Sequence, residues 1–387
     1  MESVPETTRN PDTRDTTQLR DAEGYVAEGM PPLGRSETEV SYFEFWPMWL
    51  MYLPVAIQWL VLAIRNGSLT LPLIANPNIP VAGMVGVGKS KILAQAKGHC
   101  ADAILPWIRH DKSAEPLRRQ VALVLATAAD KNIVYPFVCK PDLGCRGSGV
   151  KRVSNDAQLH DYLYAYPTGT GIIVQKLARW EPEAGVFYTR MPGAASGKIN
   201  SLALKYSPYV VGDGNSTLRE LIECDSRASQ LRHLYHERHK VSLDTVIQRG
   251  SKLRLVFSIS HCRGAIFRNG AQYITPQLSE RINELMLELP EFYYGRLDIK
   301  FRDTDSLMRG EDIEIIEINA ASSESLHIWD RNATLLDAIR ALLWQYRTLF
   351  RIGRANRARG FKPPAIREVL RRWKAERRLA RFYPMAD

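Results

Sequence analysis

A chain of 387 residues, 45% of them apolar and 24% charged, carries enough hydrophobic material for two or three modest domains and is neither fibrous nor disordered as a whole. Five scattered cysteines, with no C-x-x-C pair and no metal-ligand spacing among the eight histidines, argue against a disulfide framework or a zinc site and for a reducing, cytoplasmic setting. The formal net charge of +10 belongs to one segment: from Arg347 onward thirteen Lys or Arg face only Glu368, Glu376 and Asp387, which leaves the rest of the chain neutral.

Residues 1–40 are polar, rich in Thr, Asp and Arg, and lack a sustained apolar period, so a disordered leader without a secretory signal is expected. Residues 45–64, FWPMWLMYLPVAIQWLVLAI, run without a charge over twenty positions, a length that crosses a bilayer. Pro47, Pro54 and Gln58 oppose a span, whereas Glu37, Glu39 and Glu44 before it and Arg65 after it would leave the body cytoplasmic. Three readings stay open: a span, a helix lying in the inner membrane interface beside the basic tail, and a helix covered by protein.

Next, GMVGVGKS at 83–90 fits G-x-x-x-x-G-K-[ST], the spacing of a phosphate-cradling loop. The segment leading into it, LPLIANPNIPVA, holds three prolines and cannot be the central strand that such a loop needs. It is therefore read as a turn of an N-terminal lobe. KSKILAQAKGH reads as a short helix, SAEPLRRQVALVLATAADKN as a second, and NIVYPFVCK as a strand ending on Lys140. GVKRV, GIIVQKL, GVFYTRMP, KINSLALKY, KLRLVFSIS, GRLDIKF and EDIEIIEINA read as further strands; NDAQLHDYLYAY, LRELIECD and PQLSERINELMLEL read as helices. Without a strict βαβ beat, the fold class expected is α+β. At the end, IREVLRRWKAERRLARFY has the spacing of a basic amphipathic helix, suited to an anionic membrane surface or an acidic partner; nucleic acid is disfavoured because the charge is confined to this tail.

Two stretches carry chemistry. In FVCKPDLGCRGSGVKRV, a strand-borne Lys140 precedes a loop with Gly144, Gly147 and Gly149, with Arg146 and Ser148 between them; glycines let backbone N–H groups approach a triphosphate closely. Cys145 is a small loop residue without a base partner. In GRLDIKF and EIIEINA, Asp298, Glu317 and Asn319 offer two carboxylates and an amide near strand ends, with Glu317 and Asn319 on one face. Such oxygens suit a magnesium ion that also holds phosphate.

Taken together, the Lys140 strand, its glycine-rich loop, GRLD and EIN resemble the ATP-grasp superfamily, and within it the D-alanine–D-alanine ligase-like carboxylate–amine ligases, over about residues 110–330. The resemblance implies two α+β lobes sandwiching ATP, a small lobe at 111–178 and a large lobe with the metal site at 179–345, with an N-terminal helix and substrate lobe at 41–110 and the basic tail at 346–387. It implies that Lys140 contacts the phosphates and the adenine side, that the 144–149 loop closes over the β- and γ-phosphates, and that Gln175, Lys176 and Leu177 form the adenine-reading hinge. Glu183 becomes the ribose carboxylate, with nearby Glu181 able to exchange that role; Arg296 becomes the catalytic arginine; Asp298, Glu317 and Asn319 become ligands of Mg2+. His261, Arg263 and Ser322 are candidates for holding the substrate. Segments that bind D-alanine have no clear match, and Gln175 stands where the hinge often has an acid. The implied activity is ATP- and magnesium-dependent joining of a small-molecule carboxylate to an amine through an acyl phosphate, against the alternatives of a phosphotransferase on the same fold or a membrane-associated nucleotide-binding module.

Overall fold

The computed structural model describes residues 25–33, 43, 44, 46–144, 147–260 and 263–384. Two antiparallel sheets organise them. The smaller holds β1 (Trp107–Asp111), β2 (Phe137–Pro141), β3 (Lys151–Val153) and β4 (Gly171–Lys176) in the order β1-β4-β2-β3. The chain then builds β5 (Glu183–Thr189) and β6 (Lys198–Tyr206), a ribbon of β7 (Tyr209–Val211) and β8 (Lys252–Arg254), and finally β9 (Ile266–Asn269), β10 (Tyr294–Phe301) and β11 (Ile313–Asn319). The larger sheet runs β11-β10-β5-β6-β9, and every pairing in both sheets is antiparallel. The α+β class expected from the sequence is the class found.

Helices α1 (Met48–Asn66), α2 (Lys89–Leu93) and α3 (Gly98–Ala103) precede the smaller sheet, which α4 (Leu117–Ala129) and α5 (Asp156–Tyr164) then cover. There Val124, Phe137, Leu159, Leu163 and Val174 bury together. After α6 (Leu218–Cys224) and α7 (Arg232–Arg238), α8 (Pro276–Leu287) and α9 (Thr304–Arg309) cover one face of the larger sheet. Alternation along its strands sends Val186, Tyr188, Leu202, Leu204, Leu297, Ile299 and Phe301 into that core, each such aromatic or aliphatic side chain stabilising by about 1.5–3 kcal/mol on burial. An antiparallel sheet leaves its other face free for polar work, and the intervening residues, Glu183, Lys205, Arg296, Asp298 and Lys300, turn toward a cleft. The two remaining helices, α10 (Leu335–Ala358) and α11 (Ile366–Ala380), close the chain. α1 runs beside α10 in parallel, with Tyr52 and Trp59 against Tyr346, Trp59 against Phe350 at 5.3 Å between ring centres, and Arg357 donating to the Asn66 carbonyl at 2.8 Å.

The structure departs from the sequence reading in several places. Residues 25–33, assigned to a disordered leader, pack on the larger sheet and on the β7-β8 ribbon: Met30 is buried, the Pro31 carbonyl accepts from the Tyr206 hydroxyl at 3.0 Å, and Lys252 of the ribbon lies over the Tyr25 ring. The apolar positions Val26, Ala27, Met30 and Leu33 supply that contact. The other leader residues lie outside the described residues. KSKILAQAKGH is two helices, because Glu288 takes the Lys97 amide on its carbonyl and the Cys100 amide on its carboxylate. KLRLVFSIS is a strand only as far as Arg254, whose guanidinium curls back onto the Val256 and Phe257 carbonyls at 2.8 Å each. α10 runs unbroken across position 345, where the sequence reading began the basic tail.

Candidate functional site

The register of β10 against β11 pairs Asp298 with Glu317 and Arg296 with Asn319. Side chains directly opposite in an antiparallel pair share a face, so these four form one polar patch. Arg296 grips Asp298 with both ends of its fork, Nε to Oδ1 at 2.8 Å and Nη2 to Oδ2 at 3.1 Å, and Asn319 donates to Asp298 Oδ2 at 3.2 Å. Room for this comes from Gly185 on β5, where a Cβ would meet Arg296 Cδ at 3.1 Å and Leu326 Cδ1 at 2.8 Å. One step further along, Lys300, Glu183 and Lys205 sit on three adjacent strands in register. The buried Glu183 carboxylate pairs with both lysines, with Lys300 at 2.9 Å.

A β-bulge connects this patch to the smaller sheet. Asp298 faces Glu317 but Ile299 faces Ile315, which leaves Ile316 unpaired on that side; bulges re-aim groups next to functional sites. Here the Ile316 carbonyl accepts from Lys140 Nζ at 2.9 Å, while Gln175 Oε1 on β4 accepts from the same ammonium at 2.7 Å. Lys140 on one sheet and the carboxylates on the other therefore meet in one place. They line a single cleft of about 1630 Å3, beyond the roughly 300–1,000 Å3 usual for one small ligand, so it can hold two.

GMVGVGKS explains the rest of the cleft wall. No strand enters it: Pro80–Gly83 is a pair of tight turns meeting at a kink, with Val81 and Ala82 held in the left-handed region at φ 45° and 52°. Strain of that kind in a β-branched residue persists only where surroundings impose it, and here the Ala82 carbonyl is clamped by the Ala321 amide at 3.0 Å. Gly88 approaches so closely that a Cβ would lie 2.6 Å from Asp142 Oδ2. Asp142 in turn receives the Ser90 amide and hydroxyl at 2.7 and 2.9 Å and pairs with Arg109 at 3.2 Å. This anchorage delivers Lys89 into the cleft, where its ammonium donates to the Gly144 carbonyl and stands 3.4 Å from Glu317 Oε1. The lysine and serine of the motif thus act through side chains at the junction of the two sheets. On the outer side, Tyr383 donates to the Leu143 carbonyl and packs on Tyr166, Glu376 accepts from the Gly86 amide at 2.8 Å, and Trp373 and Arg377 of α11 border the cleft.

Electrostatics follow from these contacts. Burial would raise the Glu183 and Asp298 carboxyls, but Lys205 with Lys300, and Arg296 with Lys205, outweigh it and hold both acids below their ordinary range. Burial pushes Lys140 down to about 8 against the pull of Glu317 and Asp298, and it lowers Lys300 as well. Ten Lys or Arg side chains line the cleft, among them Lys89, Lys140, Lys205, Lys300 and Arg296, against seven carboxylates, among them Glu183, Asp298 and Glu317. The surplus favours a polyanion.

Of the residues singled out in the sequence, Lys140, Gly144, Gly147, Ser148, Gln175, Lys176, Leu177, Glu183, Arg296, Asp298, Glu317, Asn319 and Ser322 border this one cleft. Gly149 stands behind it, its carbonyl taking the Tyr162 hydroxyl at 2.7 Å. Arg263 faces the glycine loop, its Nε 3.5 Å from where a Gly147 Cβ would be. Arg146, His261, Cys145 and Cys262 lie outside the described residues. Sequence reasoning missed Lys89, Lys205 and Lys300. A signal existed for Lys300, which follows Arg296 and Asp298 at a spacing of two.

Among the described residues no group of three or more His, Cys, Asp or Glu side chains gathers to hold a metal by itself. Asp298 and Glu317 with the Asn319 amide are nevertheless the donors that fit magnesium when phosphate and water complete its shell. Glu317 is the more available of the two acids, since its side chain is 29% exposed against 5% for Asp298.

No family model matches the chain, and no curated protein does. Solved structures similar to it include a bifunctional glutathione synthetase from Pasteurella multocida, at a TM-score of 0.35 and 13% identity over 70% of this chain and 38% of that one. The VanG D-Ala:D-Ser ligase from Enterococcus faecalis is similar at a TM-score of 0.37 and 12% identity, over 69% of this chain and 64% of that one. This chain therefore spans less than two thirds of either. Both neighbours are of the ligase kind that the sequence resemblance points to, but likenesses at these scores carry no argument about chemistry, which rests on the cleft.

Proposed function

We propose that the chain is an ATP- and magnesium-dependent ligase that joins a carboxylate to an amine through an acyl phosphate. The observation that carries this is the convergence of Lys140 and its glycine-rich loop with the Arg296–Asp298 and Glu317–Asn319 ladder on one cationic cleft, linked by the Lys140 contact to Ile316. In this reading the 144–149 loop covers the β- and γ-phosphates from the small-lobe side, with Lys140 beneath them and Lys89 at the γ-phosphate. Asp298, Glu317 and Asn319 would hold magnesium, which when bound neutralises charge on the phosphate oxygens. Glu181, 37% exposed beside the hinge though it accepts the Tyr209 hydroxyl and lies 3.3 Å from Arg254, suits the ribose better than the buried Glu183, which Lys205 and Lys300 occupy.

The chemistry is positioning and preorganised charge. A substrate carboxylate oxygen bonds to the γ-phosphorus as the bond to the ADP oxygen breaks, while Lys89 and Arg296 balance the charge on the transferring group. An amine then bonds to the acyl carbon, loses a proton, and phosphate leaves; Arg296, its third donor fixed on the Glu324 carbonyl at 3.1 Å, faces the oxyanion. The test is release of phosphate from MgATP across a panel of amino acids and other carboxylates, with and without amines. Stimulation that needs both partners supports ligation. A phosphorylated product formed without amine would make the chain a phosphotransferase, and failure to bind MgATP would end the reading.

A further inference from the structure

We propose that α1 docks on an anionic bilayer surface, lying in the interface with its outer face in the acyl-chain boundary and the arginines of α10 toward the headgroups. α1 has two apolar faces. The inner one is used: Met51, Val55 and Ala63 are buried, and Trp59 packs on Tyr346 and Phe350. The outer one carries Leu53, Ile57, Leu60 and Ile64, spaced as one helical stripe, with Ile57 58% and Ile64 82% exposed and no charged residue between Trp46 and Ile64. A scatter of exposed apolar residues is ordinary, but an unbroken stripe along a 19-residue helix marks an interaction face.

The neighbouring helix selects the occupant. On α10, Arg347, Arg351, Arg354 and Arg357 are all exposed, and Arg357 reaches the last turn of α1. An apolar stripe edged by cations matches acyl chains beneath anionic headgroups. A span is disfavoured by the same helix, since α10 travels alongside α1 and would carry its arginines into hydrocarbon. A second copy would bring two such arginine rows together. Trp49, at the start of α1, borders the cleft mouth, so docking sets the cleft beside the bilayer. Arg347 to Arg357 open the basic tail of the sequence reading, so the first part of that tail lies beside α1; its amphipathic helix α11 packs elsewhere, with Glu376 on the Gly86 amide.

Sedimentation of the full chain with phosphatidylcholine vesicles, with and without phosphatidylserine, tests this apart from the ligase reading, because no nucleotide is present. Binding is expected to need the anionic lipid, to fall with added salt, to be released by alkaline carbonate, and to weaken about tenfold or more in Ile57→Glu/Ile64→Glu. Both positions are exposed, so melting behaviour and MgATP binding should stay at the parent level in that variant. Arg351→Glu/Arg354→Glu should lose the preference for anionic lipid. The proposal is overturned if the parent stays in the supernatant, if the double glutamate variant binds equally, or if carbonate fails to release the chain, which would mean a span. It is also overturned if ultracentrifugation shows a dimer that the glutamates split, which would mean that a second copy covers the face.

Discussion

Replacing Lys89 by methionine separates the γ-phosphate from the rest of the nucleotide. The side chain is 15% exposed, its ammonium donates to Gly144 and lies 3.4 Å from Glu317, and methionine keeps the length of the stem while removing the charge. A hydrogen bond to a charged group contributes about 1.5–3 kcal/mol, so MgATP affinity should fall by about 10- to 150-fold at 1.4 kcal/mol per decade. MgADP, which lacks the group that Lys89 meets, should keep its affinity within about threefold. The folded state loses the hydrogen bond to the Gly144 carbonyl as well as the ion pair, about 1–3 kcal/mol, so the melting temperature should fall by a few to about ten degrees. Calorimetric titration of both nucleotides into parent and variant decides it. Equal losses for ATP and ADP would place Lys89 elsewhere on the nucleotide, and no loss for either would remove it from the site.

Lys140 gives a pH signature with opposite signs for binding and folding. Its native pKa of about 8 lies below the usual 10.5, so as pH rises through 8 the ammonium is lost and nucleotide affinity should fall, whereas between those values the unfolded chain binds more protons and this group's contribution to stability should rise. Titrations of MgADP and denaturant melts across that window check both, with Lys140→Met expected to flatten each. Glu317→Gln should raise the magnesium concentration needed for half-maximal ATP binding by about tenfold or more, while melting is little changed; an unchanged magnesium requirement would exclude Glu317 as a ligand. Arg227→Met should destabilise the fold by about 3–5 kcal/mol, read by urea melts, because the buried Glu44, 3.1 Å from that guanidinium, loses its ionic partner.

How much of this was legible depended on range. The period of two in EIIEINA put Glu317 and Asn319 on one face, and glycines around Ser148 announced a loop able to approach phosphate, because both are consequences of local backbone geometry. β1 and β9 escaped notice: WIRHD mixes charges into a five-residue strand, and IFRN has only four residues, too short for any period to show. Lys205 in KINSLALKY reads like any strand lysine until Glu183 appears opposite it. GMVGVGKS was correctly denied a strand-fed loop on its prolines, yet nothing local announced that Lys89 would reach Glu317.

What the amino-acid order determined alone was the α+β class, the alternation that separates core from cleft face on each strand, and the residue types available for phosphate and a hard cation. Tertiary structure decided which of them meet. The pairing of Asp298 with Glu317, the bulge that offers the Ile316 carbonyl to Lys140, and the anchoring of Lys89 through Asp142 join residues separated by about 20 to 230 positions in the chain. Periodicity reports only on neighbours a few residues apart, whereas register between strands and docking between sheets are set by the packing of the whole.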